Sequence, residues 1–217
     1  MSEPLFIFDL DGTLEDSRTD MSLSVNRVRR IYELPELPDD LLRTLVIRGM
    51  DFLYRSCFPE LCKEGEPVPE ALIQKYEVNY AAHIVDHTTA YEGIVSTLPE
   101  LARHGKLFLY TNKPESLSRL LLEKLQLLSC FTEVIGFDSH AKSKPDPAPI
   151  EDAIARLGLH PTERFMIGDS QADMQAAENL KATAVWCKWG YQKEPPAHPS
   201  PHTIARLPSD LRHILVH

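Results

Sequence analysis

Leu5-Phe6-Ile7-Phe8-Asp9-Leu10-Asp11-Gly12-Thr13 decides how the rest of the chain is read. A short, wholly apolar run of this kind fills the middle of a parallel sheet, and here it stops at two carboxylates separated by a single residue. Gly12 then permits a turn where a side chain would clash. In open α/β sheets ligands sit beyond the carboxyl ends of the strands, so both aspartates project where chemistry takes place. Alone, the segment also fits a strand that ends in an ordinary Asp-Gly turn.

The pattern then returns. Leu107-Phe108-Leu109-Tyr110 is a second apolar run and ends in Thr111-Asn112. Phe165-Met166-Ile167 is a third and ends in Gly168-Asp169-Ser170, with Asp173 one helical turn further on. Lys144 lies between them, in Lys144-Pro145-Asp146-Pro147. If the three strands are parallel neighbours, one sheet edge gathers Asp9, Asp11, Thr111, Asn112, Lys144, Asp169 and Asp173.

From Tyr91 onward, apolar runs of strand length alternate with helical patterns. Strands are expected at 106–110, 133–136, 164–167 and 182–186, with helices near 114–125, 148–157 and 171–180 and a last strand and helix beyond residue 202. Thr97-Leu98-Pro99-Glu100 reads as a capping box that opens a further helix. Such alternation implies a parallel sheet covered on both faces. Between the first strand and Tyr91 the β pattern disappears. Met21, Val25, Val28 and Ile31 recur at helical spacing, as do Leu41, Leu42, Leu45 and Val46, and then Leu72, Tyr76, Tyr80 and Ile84 after Pro69. The expected architecture is α/β: a doubly wound, Rossmann-like parallel sheet core from 1–16 and 90–217, with a small helical cap domain inserted at 17–89.

A chain of 217 residues accommodates one sizeable core and a smaller appended unit. A hydrophobic share of 43% with 25% charged residues is ordinary for a globular protein. Neither a membrane span nor a secretory signal is evident, so a cytoplasmic location is expected. Cys57, Cys62, Cys130 and Cys187 form no Cys-x-x-Cys pair and read as reduced thiols. His83 and His87 have the spacing of a helical metal pair but no Glu between them, so a zinc site is not expected. A net charge of −9 argues against a nucleic-acid surface. The expected partner is a small phosphorylated metabolite, with no nucleic acid and no membrane, the protein being a monomer or homodimer.

Carboxylates crowded at one sheet edge repel each other, by roughly 4 kcal/mol per pair at ~4 Å and an effective dielectric near 20. A hard divalent cation relieves this, and oxygen-only ligands point to Mg²⁺. With Lys144 adding positive charge, and Thr111 and Asn112 donating hydrogen bonds, the edge suits a phosphate. No P-loop and no serine nucleophile elbow is present. The remaining nucleophile is a carboxylate that forms an aspartyl-phosphate, with a second carboxylate as acid and base.

These strings resemble the haloacid dehalogenase superfamily of phosphohydrolases over essentially the whole chain. Phe8-Asp9-Leu10-Asp11-Gly12-Thr13-Leu14 is similar to its first motif, Thr111-Asn112 to the second, Lys144-Pro145 to the third and Gly168-Asp169-Ser170-Gln171-Ala172-Asp173 to the fourth. The resemblance implies Asp9 as nucleophile and Asp11 as general acid/base, with phosphate bound by Leu10, Thr111, Asn112 and Lys144. It implies Mg²⁺ held by Asp9, the Asp11 main-chain carbonyl and Asp169, with Asp173 behind them holding Lys144 or a metal-bound water. Leu42 to Met50, Thr111-Asn112-Lys113-Pro114 and Trp189-Gly190-Tyr191 resemble the phosphoglycolate phosphatase branch.

The expected function is a Mg²⁺-dependent phosphomonoesterase, with phosphoglycolate the best single substrate. Pyrophosphate, a nucleoside monophosphate or a sugar phosphate (hydrolysed or isomerised by a mutase) are alternatives within the superfamily. A phospho-accepting switch domain is the alternative from another class. Arg43, Arg48 and Arg55 are candidates for a substrate carboxylate, each equally readable as a solvated helix charge.

Overall fold

The protein is described here by a computed structural model covering residues 3–216; the outer limits 1 and 217 expected for the core lie outside them. The chain opens with β1 (Leu5–Phe8) and β2 (Glu15–Asp16), then four helices, α1 (Arg18–Ile31), α2 (Asp39–Leu45), α3 (Met50–Cys57) and α4 (Glu70–Ala82). It continues through β3 (Thr89–Ala90), α5 (Ile94–Leu101), β4 (Lys106–Tyr110), α6 (Glu115–Lys124), β5 (Glu133–Ile135) and α7 (Ala148–Arg156). The last elements are β6 (Arg164–Gly168), α8 (Gln171–Leu180), β7 (Thr183–Cys187), β8 (Thr203–Ala205) and α9 (Leu211–Leu215). Two compact units result: Met1–Asp16 with Ala90–His217, and Ser17–Thr89. No helix among the described residues is long and apolar enough to cross a membrane.

The first unit is built on a six-stranded sheet in the order β5-β4-β1-β6-β7-β8, with every neighbouring pair parallel. β1 lies near its centre and is apolar throughout because both of its faces are covered. Leu5 and Ile7 join Phe108, Tyr110, Met166 and Trp186 in one cluster with residues of α7 and α8. Phe6 and Phe8 point the other way; Phe6 meets Phe165 with ring centroids 5.7 Å apart, and Phe8 meets Phe131 edge-on. All four β1 side chains are buried, each stabilising the fold by about 2 kcal/mol. Phe8 is level with Leu109 on one side and Ile167 on the other. The carboxyl ends of β4, β1 and β6 therefore stop together.

α5 begins at Ile94, after Gly93, rather than at Thr97. Thr97 is buried inside this helix instead of capping it, and Pro99 lies within the helix as well. Burial of Ile94, Leu98 and Leu101 sets this start, outweighing the local capping signal. Proline is tolerated because the carbonyl it leaves unbonded belongs to Val95, whose residue is solvent-exposed.

The helical unit has its own core, including Met21, Val25, Val28, Leu42, Leu53, Leu72 and Tyr76. Ile31, expected on the same face as Val28, is 54% exposed because α1 ends there. α3 buries Met50, Leu53, Tyr54 and Cys57, a helical spacing that was not singled out in the sequence. His83 lies just beyond α4 and pairs with Asp86 at 2.8 Å, so His83 and His87 do not share a helical face. Two polar fasteners close the unit. Asp20, fully buried, accepts the backbone N–H groups of His87 and Thr88 and the Thr88 hydroxyl, at 2.7–3.1 Å. Arg29, also buried, donates to Pro35 O at 2.6 Å and to both Glu60 oxygens at 3.1 and 2.7 Å.

The hydrogen bond from Arg29 lowers the Glu60 pKa from its ordinary 4.5. The contribution of this pair is fully present above that value and fades as pH falls through the lower folded-state value. Glu60→Gln is therefore expected to lose less stability than the parent between pH 5 and pH 3, measured by urea denaturation; parallel losses would show that the pair is screened.

Candidate active site

Register brings the site together. Asp9 follows β1 directly, and its N–H continues the ladder to Ile167 O at 2.9 Å. Thr111 follows β4 and donates its N–H to Ile135 O at 3.0 Å, while Asp169 follows the end of β6. Three adjacent strands thus deliver Asp9, Thr111 and Asp169 to one edge, with Asn112 next to Thr111. Leu10 turns its side chain into the core, and its carbonyl accepts the N–H groups of Thr13 and Leu14 at 3.2 and 2.9 Å. That turn passes close over Asp169: Gly12 has φ +84°, and a Cβ there would stand 2.5 Å from Asp169 Oδ2.

Lys144 comes from the loop between β5 and α7, which is pinned at several points. Tyr110 donates its hydroxyl to Asp146 O at 2.5 Å, Asn179 donates to Pro145 O at 2.9 Å, and Asp146 accepts the Ala148 N–H at 3.0 Å. The Lys144 ammonium reaches Asp9 Oδ1 at 2.5 Å, Asp173 Oδ1 at 2.6 Å and Tyr110 O at 3.3 Å. All three of its protons are engaged. Asp173 also closes a capping box at the start of α8, where its Oδ2 accepts the Ser170 N–H at 2.9 Å and the Ser170 hydroxyl at 2.6 Å. Both oxygens of Asp173 are therefore committed to protein donors.

One oxygen from each of Asp9, Asp169 and Asp173 lies within 4.8 Å of the other two, and all three residues are buried. A single ammonium faces three carboxylates. Burial, followed by the repulsion of Asp173, pushes Asp9 well above the ordinary carboxylate range, with Lys144 opposing. The same causes push Asp169 up to about 7. Burial disfavours the Lys144 ammonium, but Asp173 and Asp9 outweigh it and raise its pKa. A buried, oxygen-only donor set with surplus negative charge suits a hard divalent cation.

Asp11 lies outside this cluster. Its Oδ1 is 2.7 Å from Lys113 Nζ, whose side chain is 1% exposed. Thr111 accepts the Lys113 backbone N–H at 3.2 Å, which shapes this loop. Lys113 was not singled out in the sequence as a site residue, although it sits directly after Thr111-Asn112. Thr13 was also passed over; its hydroxyl stands 3.5 Å from Asp9 Oδ2 and from Asp169 Oδ1.

A doubly wound parallel sheet, a helical insertion after its first strand and a buried carboxylate–lysine cluster at the strand ends define a class of hydrolases. The family model for haloacid dehalogenase-like hydrolases matches residues 6–187, and the chain belongs to this family. It is 36% identical to a phosphoglycolate phosphatase of Caulobacter vibrioides over 191 residues, covering 87% of this chain and 80% of that one. It is 30% identical to a phosphoglycolate phosphatase of Aquifex aeolicus over 208 residues, covering 95% and 94%. A crystal structure from Haemophilus somnus, described as a predicted phosphoglycolate phosphatase, superposes with a TM-score of 0.81 at 28% identity over 99% of both chains.

Lys144→Met would strand three buried carboxylates. Loss of one partner from such a cluster costs roughly 3–5 kcal/mol, so chemical denaturation should show a loss of that order. The double variant Lys144→Met/Asp173→Asn should recover part of it. No recovery would mean that charge is not what Lys144 supplies.

Proposed function

We propose that the protein is a Mg²⁺-dependent phosphomonoesterase that acts through an aspartyl-phosphate on Asp9. The observation that carries this reading is the pairing of two differently held carboxylates two positions apart. Asp9 is buried beside Lys144 and Asp169, whereas Asp11 is paired with the buried Lys113. One suits attack at phosphorus; the other suits proton transfer.

In the first step an Asp9 carboxylate oxygen bonds to phosphorus as the ester P–O bond breaks, and the departing oxygen takes a proton from Asp11. In the second step Asp11 removes a proton from water, the water oxygen bonds to phosphorus, and the P–O bond to Asp9 breaks. Inorganic phosphate leaves and both aspartates are restored. Lys144 keeps Asp9 oriented and offsets negative charge throughout. Thr111 and Asn112 donate to the phosphate oxygens, with Leu10 beside them. Asp9, Asp169 and the Asp11 main-chain carbonyl would hold Mg²⁺, which when bound offsets charge on the phosphate oxygens. Asp173, with both oxygens engaged, acts through Lys144.

Phosphoglycolate is the proposed substrate. Relatives bearing the name phosphoglycolate phosphatase, at 30–36% identity over most of both chains, support this. On this reading residues 17–89 form the cap domain and residues 1–16 with 90–217 the catalytic core. Within the helical unit, Arg43 is tied to Asp39 and Thr19, at 2.8 and 2.9 Å, and Arg55 to Asp51 at 2.9 Å. Arg48 instead lies on the Phe52 ring, 3.7 Å from its centroid. Stacking leaves the rim of N–H donors of a guanidinium available for a carboxylate, so Arg48 is the favoured candidate of the three.

Phosphate release from 2-phosphoglycolate is expected with Mg²⁺, to vanish with EDTA, and to fall at least a thousandfold in Asp9→Asn. Persistent turnover in that variant would remove Asp9 as nucleophile. Arg48→Ala should raise KM for phosphoglycolate about tenfold and leave KM for a neutral aryl phosphate unchanged; equal effects on both would exclude carboxylate recognition by Arg48.

A further inference from the structure

Trp189-Gly190-Tyr191, set apart in the sequence only by resemblance, has no part in the chemistry above. It forms the turn that follows β7, and it wraps one side of Asp169. The Tyr191 N–H donates to Asp169 Oδ2 at 2.5 Å and the Gln192 N–H reaches the same oxygen at 3.4 Å. Gly190 lies flat against the carboxylate: a Cβ there would stand 2.2 Å from Asp169 Cβ and 2.4 Å from Oδ2. No rotamer adjustment clears a backbone approach that close. Trp189 extends its indole N–H to Thr13 O at 3.0 Å, and the Thr13 hydroxyl stands 3.5 Å from Asp169 Oδ1 and Asp9 Oδ2. Lys193 returns to Gly190 O at 2.9 Å and fastens the turn to itself. Asp169 is thus pressed between Gly12 of the β1 turn and Gly190 of the β7 turn.

We propose that Trp189, Gly190 and the Tyr191 and Gln192 amides form a positioning turn for Asp169, engaging Oδ2 so that Oδ1 is presented to the cation. The proposal rests on the Mg²⁺ site assigned above. A carboxylate with both oxygens mobile can bind a cation through either oxygen or both; engaging one with backbone donors fixes the mode and removes that freedom before binding. The indole bond to Thr13 O couples this turn, which holds Asp169 from outside, to the turn carrying Asp9 and Asp11.

The test is binding of Mn²⁺ alone, followed by electron paramagnetic resonance on the intact protein, with phosphatase kinetics alongside. Gly190→Ala should weaken Mn²⁺ binding at least tenfold and raise the Mg²⁺ concentration for half-maximal activity to match, with substrate KM at saturating Mg²⁺ little changed. Trp189→Phe keeps the ring and removes only the indole donor, and should weaken Mn²⁺ binding about threefold with an unchanged circular dichroism spectrum. It keeps the question open to measurement if Gly190→Ala does not fold. Parent-like Mn²⁺ affinity in a folded Gly190→Ala protein, or in Trp189→Phe if that variant alone folds, would overturn the proposal. The Asp169→Asn variant separates the two readings: if it binds Mn²⁺ as tightly as the parent, the cation site itself is wrong, and the positioning role falls with it.

Discussion

The bond from Lys144 to Asp9 and Asp173 is the constraint on which the rest of the core depends. An ammonium and three carboxylates are held out of water, an arrangement that by itself opposes folding. It persists because each member is fixed by a separate rigid element: Asp9 by β1, Asp169 by β6, Asp173 by the first turn of α8, and Lys144 by a loop pinned to Tyr110 and Asn179. None can move away from the others without breaking a strand register, a helix cap or the hydrogen bonds that pin the Lys144 loop. The same rigidity prevents the carboxylates from relieving their repulsion by turning outward. Burial, with repulsion from Asp173 added to it, therefore shifts Asp9 and Asp169 upward.

The apolar sheet makes this possible at a physical level distinct from the chemistry. Leu5 to Phe8 have wholly apolar side chains, yet their two-sided burial fixes the height at which β1 ends relative to β4 and β6. A slip of one residue would turn Asp9 to the opposite face and separate it from Lys144. Placement of the Asp9 carboxylate is therefore a packing property before it is an electrostatic one.

What could be read from sequence follows from this division. Strands buried on both faces are continuous apolar runs, so β1, β4 and β6 and the residues at their ends were legible without coordinates. Asp173 was named behind the cluster only through the family resemblance; its two oxygens are engaged by Lys144 and Ser170. α3 was legible in principle, since Met50, Leu53, Tyr54 and Cys57 recur at helical spacing, but the stripe is only eight residues long and was passed over. The start of α5 was misplaced because a local capping signal lost to burial of Ile94. The Lys113–Asp11 pair and the turn at Trp189 were hidden for another reason. Each joins residues that no periodicity connects, through a half-buried salt bridge in one case and backbone amides in the other. The hints were the adjacency of Lys113 to Thr111-Asn112 and the resemblance that set both strings apart without a role.

The helical unit shows the complementary arrangement. Asp20 gathers the N–H groups of His87 and Thr88, so the two ends of the insertion are fastened to each other inside the unit. Arg29 performs a similar task between α1 and the segment after α3. A unit closed on itself in this way can vary its exposed side chains without disturbing the register of β1, β4 and β6. The buried carboxylate–lysine cluster belongs to the sheet edge, whereas exposed side chains of the helical unit, such as Arg48 stacked on Phe52, answer to no strand register. That separation explains physically why the chemistry is legible in four short strings while the identity of the ester is not.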